Sequence, residues 1–191
     1  MFLKRLAIAA VATTMAAGLA GCSLVEAAPP APLTGIAACA LGKTWNLDMP
    51  KLAEAVTAEL ATRKVTATVA AEGSQTIKWG LDGKLTMDTD YTLTLTSGTA
   101  EAPTIVVDKH SGKTTGTAYI NAEVAIPRDW DATGLNVDTT ATVAGVAAET
   151  LPYELKNTDI DDSVGVELTC DAGTMTTHQR GSDLILTWTS K

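Results

Sequence analysis

The chain has 191 residues and a formal net charge of −8, from 14 Lys and Arg against 22 Asp and Glu. Four Trp, three Tyr and one Phe are its only aromatic residues. This length suits one ordinary domain. The acidic balance, with no basic cluster beyond the first five residues, argues against a nucleic-acid binder. Two His and three Cys leave little for a metal centre, so we expect neither metal nor cofactor.

The N-terminus has the pattern of a secretory signal peptide. Lys4 and Arg5 precede an uncharged apolar run from Leu6 to Ala20. That run is shorter than the roughly 20 residues that span a bilayer, which disfavours a retained transmembrane helix. Small residues stand near the end of this run, at Gly18, Ala20 and Gly21, where a peptidase requires narrow side chains.

The segment Leu19-Ala20-Gly21-Cys22 resembles the lipobox of bacterial lipoproteins. In that family the Cys thiol receives a diacylglycerol and becomes the first mature residue. The resemblance implies a signal peptide over residues 1–21, acylation of Cys22, and a position on the outer face of the cell membrane. The alternative is an ordinary signal peptide with an incidental Cys.

Removal of residues 1–21 leaves 191 − 21 = 170 residues. Residues 22–35 include the Pro- and Ala-rich stretch SLVEAAPPAPLTG, which is typical of an extended tether. Residues 36–191 then form a single β-rich domain. The remaining cysteines, Cys39 and Cys170, are an even pair in an exported chain, so we expect a disulfide between them. Two buried free thiols are the alternative.

The sequence predicts one helix in the mature chain. Asp48 supplies an N-cap acid, Pro50 lies in the first turn, and an apolar stripe follows at helical spacing. This pattern predicts a helix over about Met49 to Thr62.

Most of the remaining chain alternates with a period of two, which predicts strands. These are Lys43 to Leu47, Val65 to Val69, Ile77 to Leu81, Leu85 to Thr96, Thr104 to Lys109, Thr114 to Ile126, Leu135 to Val143, Val164 to Cys170, Thr174 to Gln179 and Leu184 to Thr189. Turns are predicted at Asp82–Gly83, Ser111–Gly112, Pro127 to Thr133 and Asp171 to Gly173. The fold class is therefore mainly β: a curved antiparallel meander that closes as a barrel or half-barrel, with one N-terminal α-helix.

Three segments carry a resemblance to a family. They are Gly42 to Asp48, Leu168 to Cys170 and Leu186 to Thr189. Together they resemble a group of small actinobacterial lipoproteins of unassigned function, which is itself loosely similar to lipocalins. Gly42 and Trp45 are separated by two residues, whereas lipocalins carry Gly-x-Trp. Lipid-carrying half-barrel lipoproteins of mycobacterial type are similar in layout, with a lipobox, an early helix and a curved sheet.

One apolar face is a candidate wall for a ligand cavity. Its members are Trp79, Leu85, Met87, Tyr91, Leu93, Leu95, Ile120 and Val124. A packed core explains the same pattern equally well. The single Phe and the many small side chains suggest an under-filled interior, which favours a cavity.

Other candidate sites have simpler explanations. Asn157, Asp159 and Asp161 have the spacing that opens calcium loops, but a solvated acidic loop fits as well. His110 and His178 lie at predicted turns and are expected to be exposed. The sequence has no nucleophile elbow, phosphate loop or zinc-protease motif.

We therefore expect a non-enzymatic, lipid-anchored protein of the cell envelope that binds or carries a small hydrophobic molecule. Its partners would be the membrane, through the lipid on Cys22, and that ligand. No nucleic acid is expected to bind. The alternative is a structural or protein-interaction lipoprotein with a solid core and no ligand.

Overall fold

The computed structural model describes residues 32–150, 160, 161 and 163–191. One compact unit runs from Leu33 to Lys191. Cys22 lies outside the described residues, as do Asn157 and Asp159. Within the described part of the chain, no helix is long and apolar enough to cross a membrane.

Two helices and ten strands make up the described fold. The helices are α1 (Gly35–Ala40) and α2 (Met49–Thr62). The strands are β1 (Lys43–Leu47), β2 (Ala67–Trp79), β3 (Lys84–Gly98), β4 (Pro103–Asn121), β5 (Val124–Asp131), β6 (Leu135–Val143), β7 (Val146–Ala147), β8 (Val166–Asp171), β9 (Thr174–Gln179) and β10 (Ile185–Ser190).

All ten strands belong to one antiparallel sheet, in the order β3-β2-β1-β10-β9-β8-β5-β4-β6-β7. A further pairing of β3 with β4 closes eight of these strands into a hydrogen-bonded ring. The predicted mainly β fold with a curved antiparallel sheet is confirmed.

The sheet has two regions, which we call the ring and the extension. The ring uses residues 76–79 of β2, where β1 pairs, and residues 115–121 of β4, where β5 pairs. The extension consists of residues 67–75 of β2, 89–98 of β3 and 103–112 of β4, together with β6 and β7. The three long strands therefore cross from one region into the other.

The predicted helix is confirmed as α2. The Asp48 side chain accepts a hydrogen bond from the backbone N–H of Lys51 at 3.0 Å, which satisfies a free donor of the first turn. Leu52, Val56 and Leu60 point from α2 into the core. The expectation of a single helix was wrong, because α1 precedes β1. Its six residues are too few to show helical periodicity in the sequence.

Two turn predictions were also wrong. Ser111–Gly112 lies inside β4, where Gly112 pairs with both Thr89 and Leu135. The span predicted as a turn from Pro127 to Thr133 is mostly strand, because β5 continues to Asp131. The real hairpin falls at Ala122, whose positive φ of 54° makes a tight turn without the usual turn residues. The turn-forming residues at these positions suggested hairpins. Pairing with neighbouring strands in the folded sheet outweighs that local preference for a turn.

Candidate functional site

The eight predicted ligand-binding residues lie in three different places. Trp79, Leu85 and Met87 are buried inside the ring, with 4%, 4% and 1% of their surfaces exposed. Tyr91, Leu93 and Leu95 are buried in the extension. Ile120 and Val124 flank the hairpin between β4 and β5. The predicted face is therefore continuous along the strands, but it does not line a single cavity.

Two small cavities lie among the described residues of the ring, one of about 70 Å³ and one of about 30 Å³, both lined mainly by apolar side chains. Ile77, Val166 and Thr177 line both of them. Sites for small organic ligands usually measure about 300–1,000 Å³, so neither cavity holds an acyl chain.

Three tryptophans explain why the ring is well packed despite the scarcity of aromatic residues. Trp45, Trp79 and Trp188 are 0%, 4% and 2% exposed. Trp45 donates its indole N–H to the carbonyl of Ala40 at 3.0 Å, and Trp188 donates to the Thr177 hydroxyl at 2.9 Å. Two of the three large side chains thus occupy the core with their polar atoms satisfied.

A larger concavity lies on the outside of the fold, and we call it the outer groove. Its volume is about 600 Å³. It is bounded by α1, by the loop between β2 and β3, and by the hairpin of β4 and β5. Its lining residues are Leu33, Ala37, Leu41, Leu81, Asp82, Gly83, Thr117, Ala118, Tyr119, Ile120 and Arg128. Only Ile120 belongs to the set predicted from the sequence.

Large apolar side chains stand exposed in the outer groove. Leu81 is 71% exposed, Tyr119 is 64% exposed and Leu33 is 45% exposed. Leu81 was predicted to lie in a strand from Ile77 to Leu81, but β2 ends at Trp79 and Leu81 falls in the loop that follows. A Cβ atom on Gly42 would lie 3.0 Å from a methyl carbon of Leu81, so the glycine leaves room for this side chain.

The outer groove holds two charged side chains, Asp82 and Arg128. Lys84 donates to Asp82 across 3.0 Å, and hydrogen bonds from the Lys84 side chain and backbone hold the pKa of Asp82 below its ordinary value. Arg128 is exposed, and no ion pair to it is found among the described residues. The groove is therefore mainly apolar, with an available guanidinium.

The disulfide links the groove wall to the ring. Cys39 in α1 is bonded to Cys170 in β8, with 6.0 Å between the two Cα atoms. A six-residue helix is too short to be stable alone, so this bond and the burial of Ala40 account for its order. The structure thus contains the predicted disulfide.

The extension contains a buried polar cluster that the sequence did not reveal. His110 Nε2 lies 2.7 Å from Oδ2 of Asp108, and both side chains are about 3% exposed. The Tyr91 ring stacks on His110 with centroids 4.6 Å apart, and the Thr139 hydroxyl donates to Oδ1 of Asp108. The expectation that His110 is exposed at a turn was wrong, because β4 continues through it.

The charge state of Asp108 follows from these contacts. Burial opposes its ionisation, but the hydrogen bonds from His110 and Thr139 outweigh burial and lower the pKa of Asp108. In these contacts Thr139 donates to the carboxylate of Asp108 rather than to His110, so they do not pair a nucleophile with the imidazole. The cluster therefore has the character of a satisfied polar core.

A second polar group lies next to this cluster. Gln75 donates to the Thr89 hydroxyl at 3.0 Å. The Gln75 carbonyl oxygen and the Thr114 hydroxyl are both buried without a hydrogen-bond partner. Unpaired buried polar atoms are costly, so these two oxygens mark a weak point of the interior.

The other predicted sites hold no assembled centre. Asp161 is exposed, and its carboxylate accepts hydrogen bonds from the backbone and hydroxyl of Ser163, as in a local turn. His178 lies 2.6 Å from the carbonyl oxygen of Ser182. Within residues 32–150, 160, 161 and 163–191, no group of three His, Cys, Asp or Glu residues is arranged to hold a metal ion.

Comparisons with known proteins give no further assignment. No protein-family model, no curated protein and no solved structure matches this chain.

Proposed function

We propose that this protein is a non-enzymatic, lipid-anchored protein of the cell envelope that binds a small hydrophobic molecule in the outer groove. One observation carries the choice of site: the groove measures about 600 Å³, whereas the ring cavities measure about 70 and 30 Å³. Only the groove falls in the size range of ordinary ligand sites.

The chemistry of the groove supports a hydrophobic ligand. Leu81, Tyr119 and Leu33 expose apolar surface to water in one place, and clustered exposure of this kind usually marks a binding site. A ligand that covers them gains about 25 cal/mol per Å² of apolar area removed from water. The anchor itself rests on the lipobox resemblance at Cys22, and the outer location rests on the same residues.

The proposal can be tested with the mature chain from residue 22, carrying Cys22→Ser and exported through a cleavable signal. Native mass spectrometry of protein from its own host reports any bound mass. Titration with dansyl-aminoundecanoic acid then measures affinity for a fatty-acid probe. We expect Leu81→Asp to weaken probe binding about tenfold, because a charge replaces roughly one buried Leu contact.

The matched control is Val146→Asp, which places the same charge on a 70% exposed apolar residue of β7. It should bind the probe like the unmodified protein. A bound mass that disappears on organic extraction would support the proposal. Equal probe affinity for the Leu81→Asp and Val146→Asp variants would contradict the groove as the site.

A second function is favoured by the free edge of the extension. β7 pairs with β6 only at Thr142 and Val143, and Val137, Val143 and Val146 are 44%, 45% and 70% exposed. Within the described residues, β6 from Leu135 to Thr140 has no strand on its outer side, and such edges accept extended peptides. A protein without bound mass and without probe affinity would favour this protein-interaction function.

A further inference from the structure

We propose that the outer groove faces the membrane that carries the anchor, and that it takes an acyl chain of an anionic phospholipid directly from that bilayer. This inference rests on the proposed function, since it names the ligand class and the side from which the ligand enters. Three features of the described residues carry it: the position of the groove, its apolar rim and its free cation.

The groove lies where the tether joins the folded unit. Leu33, its first lining residue, is also the first residue of the compact unit. From Cys22 to Leu33 there are 33 − 22 = 11 residue steps, so the covalent chain spans at most about 40 Å. The tether therefore attaches at one wall of the groove, and it holds that wall within about 40 Å of the anchored residue.

The rim of the groove has the composition of a membrane-contacting surface. Tyr119 and Ile126 are cross-strand neighbours on the exposed face of the hairpin, and Leu81 stands on the opposite wall. Tyrosine suits the boundary between headgroups and acyl chains, because its ring is apolar and its hydroxyl is polar. The exposed apolar residues thus continue beyond the groove onto its outer edge.

The charge distribution favours an anionic headgroup at this site. The chain as a whole carries −8, so an anionic membrane repels most of its surface. Arg128 follows Ile126 on the same face of β5 and is exposed beside the groove. A guanidinium binds phosphate through two parallel N–H donors, and here it would lie next to the apolar lining that receives the chain.

The other exposed apolar surface lacks this combination. Val137, Val143 and Val146 lie on β6 and β7, and neither strand carries a Lys or Arg residue that could bind a phosphate headgroup. The two surfaces therefore provide a test of orientation, with one predicted to contact lipid and the other predicted to stay in water.

The test uses the full, lipidated chain in vesicles of phosphatidylcholine with 30% phosphatidylglycerol. Half of the samples contain lipids brominated in their acyl chains, which quench tryptophan at short range. One variant is Tyr119→Trp, and its matched control is Val146→Trp, because the two native residues are 64% and 70% exposed. The unmodified protein supplies the background from its own tryptophans.

We expect bromolipid to quench the added fluorescence of the Tyr119→Trp variant at least twofold and to leave that of the Val146→Trp variant within error of its unbrominated value. Equal quenching of the two variants would overturn the proposed orientation. If quenching is equal while Leu81→Asp still weakens dansyl-probe binding, the groove binds a ligand but does not face the bilayer.

The headgroup assignment is tested by removing phosphatidylglycerol. In the Tyr119→Trp background, quenching should fall about twofold without the anionic lipid. Adding Arg128→Gln should remove this dependence, whereas the control Arg180→Gln, which neutralises an exposed Arg elsewhere, should keep it. Inorganic phosphate at millimolar concentration should not compete. Retained dependence in the Arg128→Gln variant, or loss of quenching on adding phosphate, would overturn the assignment of a lipid headgroup.

Discussion

The ring and the extension share three strands, yet the side chains that these strands bury differ between the two regions. Inside the ring, β2 and β3 present Ile77, Trp79, Leu85 and Met87, and the core is apolar. A few residues further on, β2, β3 and β4 bury Gln75, Thr89, Tyr91, Asp108 and His110 in the extension, next to apolar Leu93 and Leu95. Period-two alternation therefore determines which face is buried, but it does not determine whether that face is apolar.

Glycines mark the places where the strands pass from one region to the other. A Cβ atom on Gly112 would lie 1.9 Å from the carbonyl oxygen of Gly134, and one on Gly73 would lie 2.3 Å from that of Asp90. Both glycines have positive φ, 126° and 106°. Only glycine permits this approach and this backbone conformation. In the sequence, Gly112 looked like a turn, but in the structure it allows a long strand to bend.

Truncation of a ring tryptophan should have the largest effect on stability. We expect Trp188→Ala to lower the free energy of unfolding by about 4 kcal/mol, because it leaves a large void in an interior that is almost full. Urea denaturation followed by circular dichroism measures this change. Trp130→Ala, at a half-buried position, is the control and should cost less. Similar losses for both variants would contradict a solid ring core.

The extension should respond differently, because its interior depends on charge. We expect Asp108→Asn to cost about 2 kcal/mol at pH 7, since it weakens the hydrogen bonds with His110 and Thr139 in a buried place. Comparing the stability losses of Asp108→Asn and Trp188→Ala then distinguishes the cost of a lost buried hydrogen bond from the cost of a cavity in the core.

The Asp108→Asn variant also tests how the stability of the fold depends on pH. The pKa of Asp108 lies below its ordinary value, so ionisation of Asp108 stabilises the fold above the unfolded pKa of about 4, and this contribution is lost as the pH falls through the folded value. The stability difference between the unmodified protein and the Asp108→Asn variant should therefore be full at pH 7 and shrink below about pH 4. A constant difference from pH 7 to pH 2.5 would show that Asp108 does not titrate differently in the folded state.

The fold was predictable wherever local signals agree with tertiary structure. The cap at Asp48 with Pro50 defined α2, and strict alternation defined β6 and β9 with their observed bounds. Prediction failed in β4, which runs unbroken to Asn121 because its pairing with β3 outweighs the turn propensity of Ser111–Gly112.

The candidate site was less predictable than the fold. Leu81 becomes part of the groove only because β2 ends two residues before it. The exact end of a strand is the feature that a sequence pattern predicts least well. One signal was available: Leu81 is a large apolar residue between Gly80 and the turn pair Asp82–Gly83. Tyr119 could be assigned to the groove only once the hairpin at Ala122 was known, because that hairpin determines the face of β4 on which Tyr119 lies.

The smallest predicted effect concerns the boundary between the two regions. Thr114 is fully buried, at 0% exposure, and its hydroxyl has no partner, while the residue opposite it in β3 is Met87 of the ring. Thr114→Val keeps the shape and removes the unpaired oxygen, so we expect it to stabilise the fold by about 1 kcal/mol. Thermal unfolding measures the shift, with the exposed Thr115→Val as control. If Thr114→Val destabilises the protein instead, the hydroxyl of Thr114 makes a favourable interaction, and the polar interior of the extension then reaches into the ring.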